Sequence, residues 1–379
     1  MPVFSNDIAR HRHIHNPQQK GMCMKQKHII LTGGGTAGHV TPNIALVPEL
    51  EARGYRVSYI GSYDGIEKKL IEDLKIPYHG IDSGKLRRYM DLKNLTDPIH
   101  VLRGYREAKR IIAADPPDIV FSKGGFVSVP VVYAAAKKHI PVVIHESDMT
   151  PGLANKLCYP KARVICCNFP ETKDYVKGCR AVVTGTPIRK ELLEGNARAG
   201  LEFCGLNDSR PVMMVIGGSL GSVVINDAVR RILPALLKDF QIIHLCGKDR
   251  LDPALNHIEG YVQYEYIRKE LPDLFAAADI VVSRAGANAI CEISSLAKPN
   301  LLIPLSAKAS RGDQVLNAAS FEKQGYSMVL REEDLTGESL LSNIKALYRD
   351  RERYIRAMQE SSHTDSIRAI ANQLDVELG

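Results

Sequence analysis

The chain has 379 residues, 45% hydrophobic and 25% charged, with a formal charge of +7 and an isoelectric point near 8.9. That length suits two or three domains with a sizeable core, and the positive balance favours anionic partners: phosphates, anionic lipid or nucleic acid. Nucleic acid is the weakest of these, because Trp is absent and no nucleic-acid-binding motif is visible, and no apolar run approaches the length needed to span a bilayer.

Residues 1–26 are polar, His-rich and aperiodic, and read as a disordered extension or as an upstream start. Within them His11, His13 and His15 fit a flexible tail better than a metal site. The N-terminus lacks the basic-then-apolar pattern of a signal peptide. The eight cysteines form no CxxC pair and mostly sit in apolar runs, so they read as reduced core residues of a cytoplasmic protein.

From residue 28 short apolar runs alternate with amphipathic stretches. HIILTGG, RVSYIGS, DIVFSKGG, PVVIHE, RVICC and AVVTGT read as buried parallel strands. Residues 187–210 carry Pro, Gly and charge without a strand pattern and read as a linker. The alternation then restarts with PVMMVIGG, QIIHLCG, YVQYEY, DIVVSRAG and PNLLIPL, and from about Gly337 the chain reads as helices. Two tandem α/β, Rossmann-like, doubly wound domains with a cleft between them is the simplest account.

Three glycine-rich strand–loop–helix junctions punctuate this pattern: Gly33–His39, Lys123–Phe126 and Gly217–Gly221. Glycine there lets backbone N–H groups approach a phosphate at a helix N-terminus. Gly33, Gly35 and Gly38 match G-x-G-x-x-G, which admits a nicotinamide-dependent dehydrogenase, but the next strand ends at Ser62 and the expected ribose-binding acid is late, at Asp64. Three such junctions favour a ligand with several phosphates, or two phosphorylated ligands.

Polar groups also follow the strands. Glu292 lies in an otherwise small, apolar helix, and a carboxylate there suits a ribose diol. His39 opens a helix beside glycines, where the helix dipole is expected to keep it neutral as a base, or else it only binds phosphate. No Asp-x-Asp motif is present, so a metal on a departing diphosphate is not implied. Amides, helix dipoles, Arg189 and Ser219 would meet that charge.

Together GGGTAGHVTP, GGFVSVP, HESDMTPGLANK, TGTPIR, GGSLG, SRAGANAICE and RGDQVLNA resemble the MurG family of GT-B glycosyltransferases, from about residue 27 to the C-terminus. The resemblance implies inverting transfer of GlcNAc from UDP-GlcNAc to the muramyl 4-hydroxyl of lipid I, forming lipid II for peptidoglycan synthesis, with no cofactor required. It implies a GT-B fold with an acceptor and membrane domain at 27–188 and a donor domain at 189–361, the helix of about 362–379 packing back on the first. The catalytic candidates it implies are His39 and Glu146. The donor would meet Thr36, Gly38, Asp148, Arg189, Ser219, Arg284, Asp313 and Gln314, with the uracil near Ile267 and the ribose on Glu292. The acceptor diphosphate would lie against Gly34, Gly35, Gly124 and Gly125.

Two departures fall on the sugar side: His145-Glu146-Ser147-Asp148 stands where many members read His-Glu-Gln-Asn, and Asp313-Gln314 where paired Gln or His is frequent. Residues 85–110 interleave Lys85, Arg87, Arg88, Lys93, Arg103, Arg106, Lys109 and Arg110 with Ile and Leu. That pattern suits an anionic membrane surface on the cytoplasmic face, or an ordinary solvated helix with its apolar residues inward. The rival functions are a diacylglycerol glycosyltransferase of the same fold, the dehydrogenase, and a non-catalytic UDP-sugar sensor.

Overall fold

A computed structural model describes residues 26–84, 97–218, 221–307, 312–361 and 365–379. The predicted extension 1–26 lies almost wholly outside them, as do Ser219 and the basic residues Lys85, Arg87, Arg88 and Lys93.

The first half is a seven-stranded parallel sheet in the order β3-β2-β1-β4-β5-β6-β7. Its strands are β1 Lys27–Thr32, β2 Tyr55–Ser62, β3 Tyr78–Ile81, β4 Ile119–Ser122, β5 Val142–Glu146, β6 Val164–Cys167 and β7 Arg180–Val183. The second half is a six-stranded parallel sheet in the order β10-β9-β8-β11-β12-β13. It comprises β8 Val212–Ile216, β9 Gln241–Leu245, β10 Tyr261–Tyr264, β11 Ile280–Ser283, β12 Asn300–Leu302 and β13 Met328–Val329. Both orders are doubly wound, so each sheet buries both faces and its central strands must be apolar throughout. Ile29 and Leu31 face one core of the first sheet and Ile30 the other. Met214 and Met213 divide in the same way in the second.

Each sheet reverses its strand order once, at β1/β4 and at β8/β11, and ligands of such folds bind outside the carboxyl ends there. The residues leaving those strands are Gly33, Lys123, Gly217 and Arg284. All three glycine junctions therefore stand at switch points.

Residues 187–210, expected as a linker, instead hold the helices Lys190–Leu193 and Ala197–Cys204. Leu192 and Cys204 are buried in the core of the second half. Gly200 permits this, because a Cβ there would fall 2.3 Å from the carbonyl of Asp273 on the neighbouring helix Leu271–Ala277. The C-terminal helix Ser366–Leu378 crosses back onto the first half, burying Ile370 and Leu374 with Ile29 and Leu46. Its Asp375 accepts hydrogen bonds from Tyr55 (2.7 Å) and Arg53 (2.8 Å).

The halves meet along residues 147–150. Met149 donates its N–H to Asn317 Oδ1 at 3.1 Å, Asn317 Nδ2 donates to Asp148 Oδ1 at 3.1 Å, and Ser147 Oγ donates to Asn288 Oδ1 at 3.2 Å. Phe169 and Phe321 pack edge to face beside them, their ring centres 5.8 Å apart.

Candidate active site

The two glycine turns of the first half touch. Gly125 has φ +84°, and a Cβ on it would fall 2.3 Å from the carbonyl of Gly34, so a side chain there would separate the turns. In the second half Gly221, at φ +71°, leaves only 2.0 Å between such a Cβ and the carbonyl of Cys246. A cavity of about 1080 Å³ opens over the first two turns and is lined by Gly34, Gly35, Thr36, His39, Gly125, Glu146 and Asp148. A larger one, about 1290 Å³, is lined by Arg189 and its neighbours from Gly185 to Glu191, and by Met358, Gln359 and Asp365. The smaller cavity is the candidate site, because the catalytic candidates and two glycine turns line it, while Arg189 faces the larger one.

His39 is half-buried on the first turn of the helix Ala37–Ala52. Its Nδ1 lies 3.0 Å from the carbonyl of Gly34 and 3.2 Å from Thr36 Oγ1. A carbonyl only accepts, so Nδ1 carries the proton and Nε2 keeps a lone pair. Burial, reinforced by the charge of Lys123, lowers the imidazole to about 4, against smaller opposing effects of the Gly34 carbonyl and Glu67. The ring is thus neutral at physiological pH, with burial the main cause and the buried cation the second.

Glu146 ends β5 and is buried, 5% exposed, at the cavity wall. Its carboxylate accepts the N–H of Asp148 (3.2 Å), the N–H of Gly152 (3.0 Å) and Asn155 Nδ2 (2.8 Å). Burial raises its pKa. With both oxygens engaged, Glu146 shapes the 147–152 loop, and its role as an alternative base loses ground to His39.

Other predicted contacts are also committed within the protein. Gly35 gives its N–H to Glu67 Oε2 (3.2 Å) and Gly124 gives its own to Ser122 Oγ (3.3 Å), so neither amide points at a diphosphate. Arg284 is buried and pairs with Glu332, while donating to Ile303 O (3.1 Å) and to Ser222 Oγ (2.8 Å). It braces the third glycine turn, where the sequence suggested a direct donor contact. Asp148 is held by Asn317, Asp313 accepts from Thr150, and Gln314 accepts the N–H of Leu305. Gly38 is approached by Asn288, whose Nδ2 donates to its carbonyl at 2.9 Å.

Glu292 and Arg189 fit a nucleotide more directly. Burial raises Glu292 to about 6, partly offset by the nearby charge of Arg189. The buried Nε of Arg189 has no hydrogen-bond partner within the protein, a donor that an anionic ligand would satisfy. Ile267 is partly buried against the core of the second half.

Three side chains at the candidate site escaped the sequence reading. Lys123, 1% exposed, reaches Ser147 Oγ. Its signal was a lysine directly after an apolar strand, inside the SKGG stretch. Asn288 stood within SRAGANAICE without a distinguishing mark. Glu67 is fully buried under the first turn, taking the N–H (3.0 Å) and hydroxyl (2.5 Å) of Ser62 besides Gly35. It is turned into the protein and is not the acid weighed for a ribose, Asp64, which lies in the turn after β2.

Comparison with known proteins agrees along the whole fold. Residues 29–166 match the glycosyltransferase family 28 N-terminal domain and residues 212–374 its C-terminal domain. A protein of Lachnospira eligens named UDP-N-acetylglucosamine–N-acetylmuramyl-(pentapeptide) pyrophosphoryl-undecaprenol N-acetylglucosamine transferase is 64% identical over 91% of this chain and 98% of its own length. One of the same name from Clostridium botulinum is 58% identical over 91% and 97%. Among solved structures, MurG of Acinetobacter baumannii superposes with a TM-score of 0.72 at 25% identity, covering 92% of this chain and 99% of that one. The glycosyltransferase of kitacinnamycin, at 16% identity and a TM-score of 0.73, shares the fold.

Proposed function

The chain belongs to glycosyltransferase family 28, and from that membership we infer how its cleft works. It is a UDP-GlcNAc-dependent GT-B glycosyltransferase that transfers GlcNAc to lipid I and forms lipid II, the reaction its relatives are named for. The diacylglycerol and dehydrogenase alternatives are not favoured. What carries this reading is identity of 64% over 98% of a named relative, joined to a cleft whose neutral histidine stands over two glycine turns.

In this reading the muramyl 4-hydroxyl oxygen attacks C1 of GlcNAc while the bond from C1 to the UDP oxygen breaks, with inversion. His39 Nε2 takes the hydroxyl proton; its Nδ1–H, fixed on Gly34 O, holds the ring in the tautomer a base needs. Glu146 positions the 147–152 loop. Glu292 accepts the ribose diol, and Arg189 with the Gly217–Gly221 turn and Ser219 stabilises the departing diphosphate. Thr36 and Gly38 border the sugar from the first half, and Asp148, Asp313 and Gln314 meet its hydroxyls once their present bonds exchange. Ile267 supports the uracil, with Arg284 bracing the turn beneath it. Gly34, Gly35, Gly124 and Gly125 give the acceptor diphosphate a surface without side chains. The sequence has no Asp-x-Asp, and the reading requires no metal.

The reading also places the enzyme peripherally on the cytoplasmic face of the membrane. No helix among the described residues is long and apolar enough to cross one. On the helix Asp97–Ala114, Ile99 and Leu102 point outward, 68% and 49% exposed, among the exposed Arg103, Arg106, Lys109 and Arg110. This favours surface contact over the inward-packed alternative. Flotation with anionic and with neutral vesicles tests it, and equal binding to both removes the electrostatic part.

Radiolabel transfer from UDP-GlcNAc to lipid I, or to a short-chain analogue in detergent, tests the activity. Folded protein that transfers nothing overturns it. Adding diacylglycerol in competition separates the acceptors, and stabilisation by UDP but not by NAD(P) separates the cofactor reading.

A further inference from the structure

Lys123 is a cation where the fold has least use for one. It follows β4 at the switch point of the first sheet, its stem passes under Gly33, and the residue is 1% exposed. The acceptor it meets is Ser147 Oγ. An ammonium can only donate, so the Ser147 hydroxyl must accept and turn its own proton outward. That proton meets Asn288 Oδ1 at 3.2 Å. The amide of Asn288 is thereby fixed with its oxygen towards Ser147 and its nitrogen free to donate, and Nδ2 does so to Gly38 O at 2.9 Å. Gly38 is the residue before His39 on the helix Ala37–Ala52.

This chain of three bonds runs in one direction, leaves the acceptor half at Ser147, enters the donor half at Asn288 and returns to the acceptor half beside the histidine. We propose that Lys123 is a positioning residue for glycosyl transfer: through Ser147 it orients Asn288, which clamps the donor half onto the first glycine turn and sets His39 against the closed cleft. The inference rests on the transferase reading above and adds residues which that reading leaves without a role.

Its electrostatics agree. The groups acting on His39 are Lys123, which lowers its pKa, and Gly34 O and Glu67, which raise it. Those acting on Lys123 are Glu146, Asp148 and Cys291. A neutral residue at 123 breaks the polarity of the chain and also removes the cation that reinforces burial in lowering the pKa of His39.

The experiment compares Lys123→Met, Ser147→Ala and Asn288→Ala with the wild-type enzyme in transfer to a short-chain lipid I analogue across pH. All three should lose about tenfold or more in kcat, with KM for UDP-GlcNAc within about twofold, because misplacement acts on the reacting geometry. In Lys123→Met alone the acidic limb of kcat/KM, and the imidazole titration of His39 followed by NMR, should move to higher pH. A purely structural role would leave that limb in place. Wild-type kcat in Asn288→Ala or Ser147→Ala overturns the proposal, and those variants decide it even if Lys123→Met fails to fold. A wild-type enzyme that transfers nothing fails the transferase reading instead, so the two failures are distinct.

Discussion

The hydroxyl of Thr150 donates to Asp313 Oδ1 at 2.6 Å, joining the first half to the second through a carboxylate that the proposed function also assigns to the sugar. The same exchange faces Asp148, held by Asn317 Nδ2 at 3.1 Å. If the proposed sugar contacts hold, donor binding replaces protein–protein hydrogen bonds with protein–sugar ones.

Breaking that link without touching the carboxylate should help the donor. Thr150→Val keeps the shape and removes the hydroxyl, so KM for UDP-GlcNAc should fall about three- to tenfold, the equivalent of one hydrogen bond's net contribution of about 1 kcal/mol. Asp313→Ala removes the sugar's partner as well, and KM should rise. Steady-state kinetics on both variants checks the opposite signs; equal effects would mean that Asp313 serves only the interface.

His39→Ala should lower kcat by about 10²–10⁴-fold, the usual range for a lost general base, while UDP binds as before. The imidazole should titrate near 4 in the free enzyme, since burial and Lys123 together hold it there. NMR of the labelled histidine, assigned by its loss in His39→Ala, measures this directly. A midpoint near 6.5 would show an open, solvated ring.

Much of this was legible in the chain. All eleven strands read from apolar runs are present, and the central ones were plainest because a doubly wound parallel sheet buries both their faces and leaves no polar alternation to confuse the signal. The two missed strands, β3 and β13, each form one of the two edges of their sheet. Tyr78-His79-Gly80-Ile81 is only partly apolar and Met328-Val329 is two residues long, so neither carries the pattern of a central strand. The glycine turns were legible because switch points demand close backbone approach. What the turns' amides and side chains bond to was not. Glu67 reaches Gly35 from 32 residues away, Arg284 reaches Ser222 from 62 away, and Asn288 reaches Gly38 from 250 away. Such partners depend on how helices and halves dock, which no local spacing encodes.

Glu292 gives a separate pH signature. Burial lifts its carboxyl to about 6, so in the free enzyme it gains a proton as pH falls through 6 and can no longer accept both ribose hydroxyls. UDP affinity should weaken below pH 6 and be level above pH 7. In Glu292→Gln this dependence should disappear while affinity drops at every pH, by about tenfold for one lost charge-assisted contact. Calorimetry with UDP between pH 5 and 8 measures both. A wild-type profile as flat as that of Glu292→Gln would remove Glu292 from the ribose site.

Lys123 carries a stability cost that can be read independently of turnover. Burial lowers its pKa from 10.5 to about 8. Below pH 8 the lysine is protonated in both folded and unfolded chains, and the folded state bears the whole desolvation penalty. Between 8 and 10.5 the unfolded chain still holds the proton while the folded chain has released it, so this contribution becomes less unfavourable as pH rises. At about 1.4 kcal/mol per pKa unit the penalty near neutral pH is roughly 3 kcal/mol. Lys123→Met lacks it, so any stability advantage of the variant should be largest near pH 7 and shrink by up to that amount towards pH 10. Denaturant unfolding of the two proteins across this range gives the difference, in which other titrations cancel. A stabilised but slow Lys123→Met would place this lysine among residues kept for geometry at the expense of stability; a gap independent of pH would mean that the ammonium is solvated.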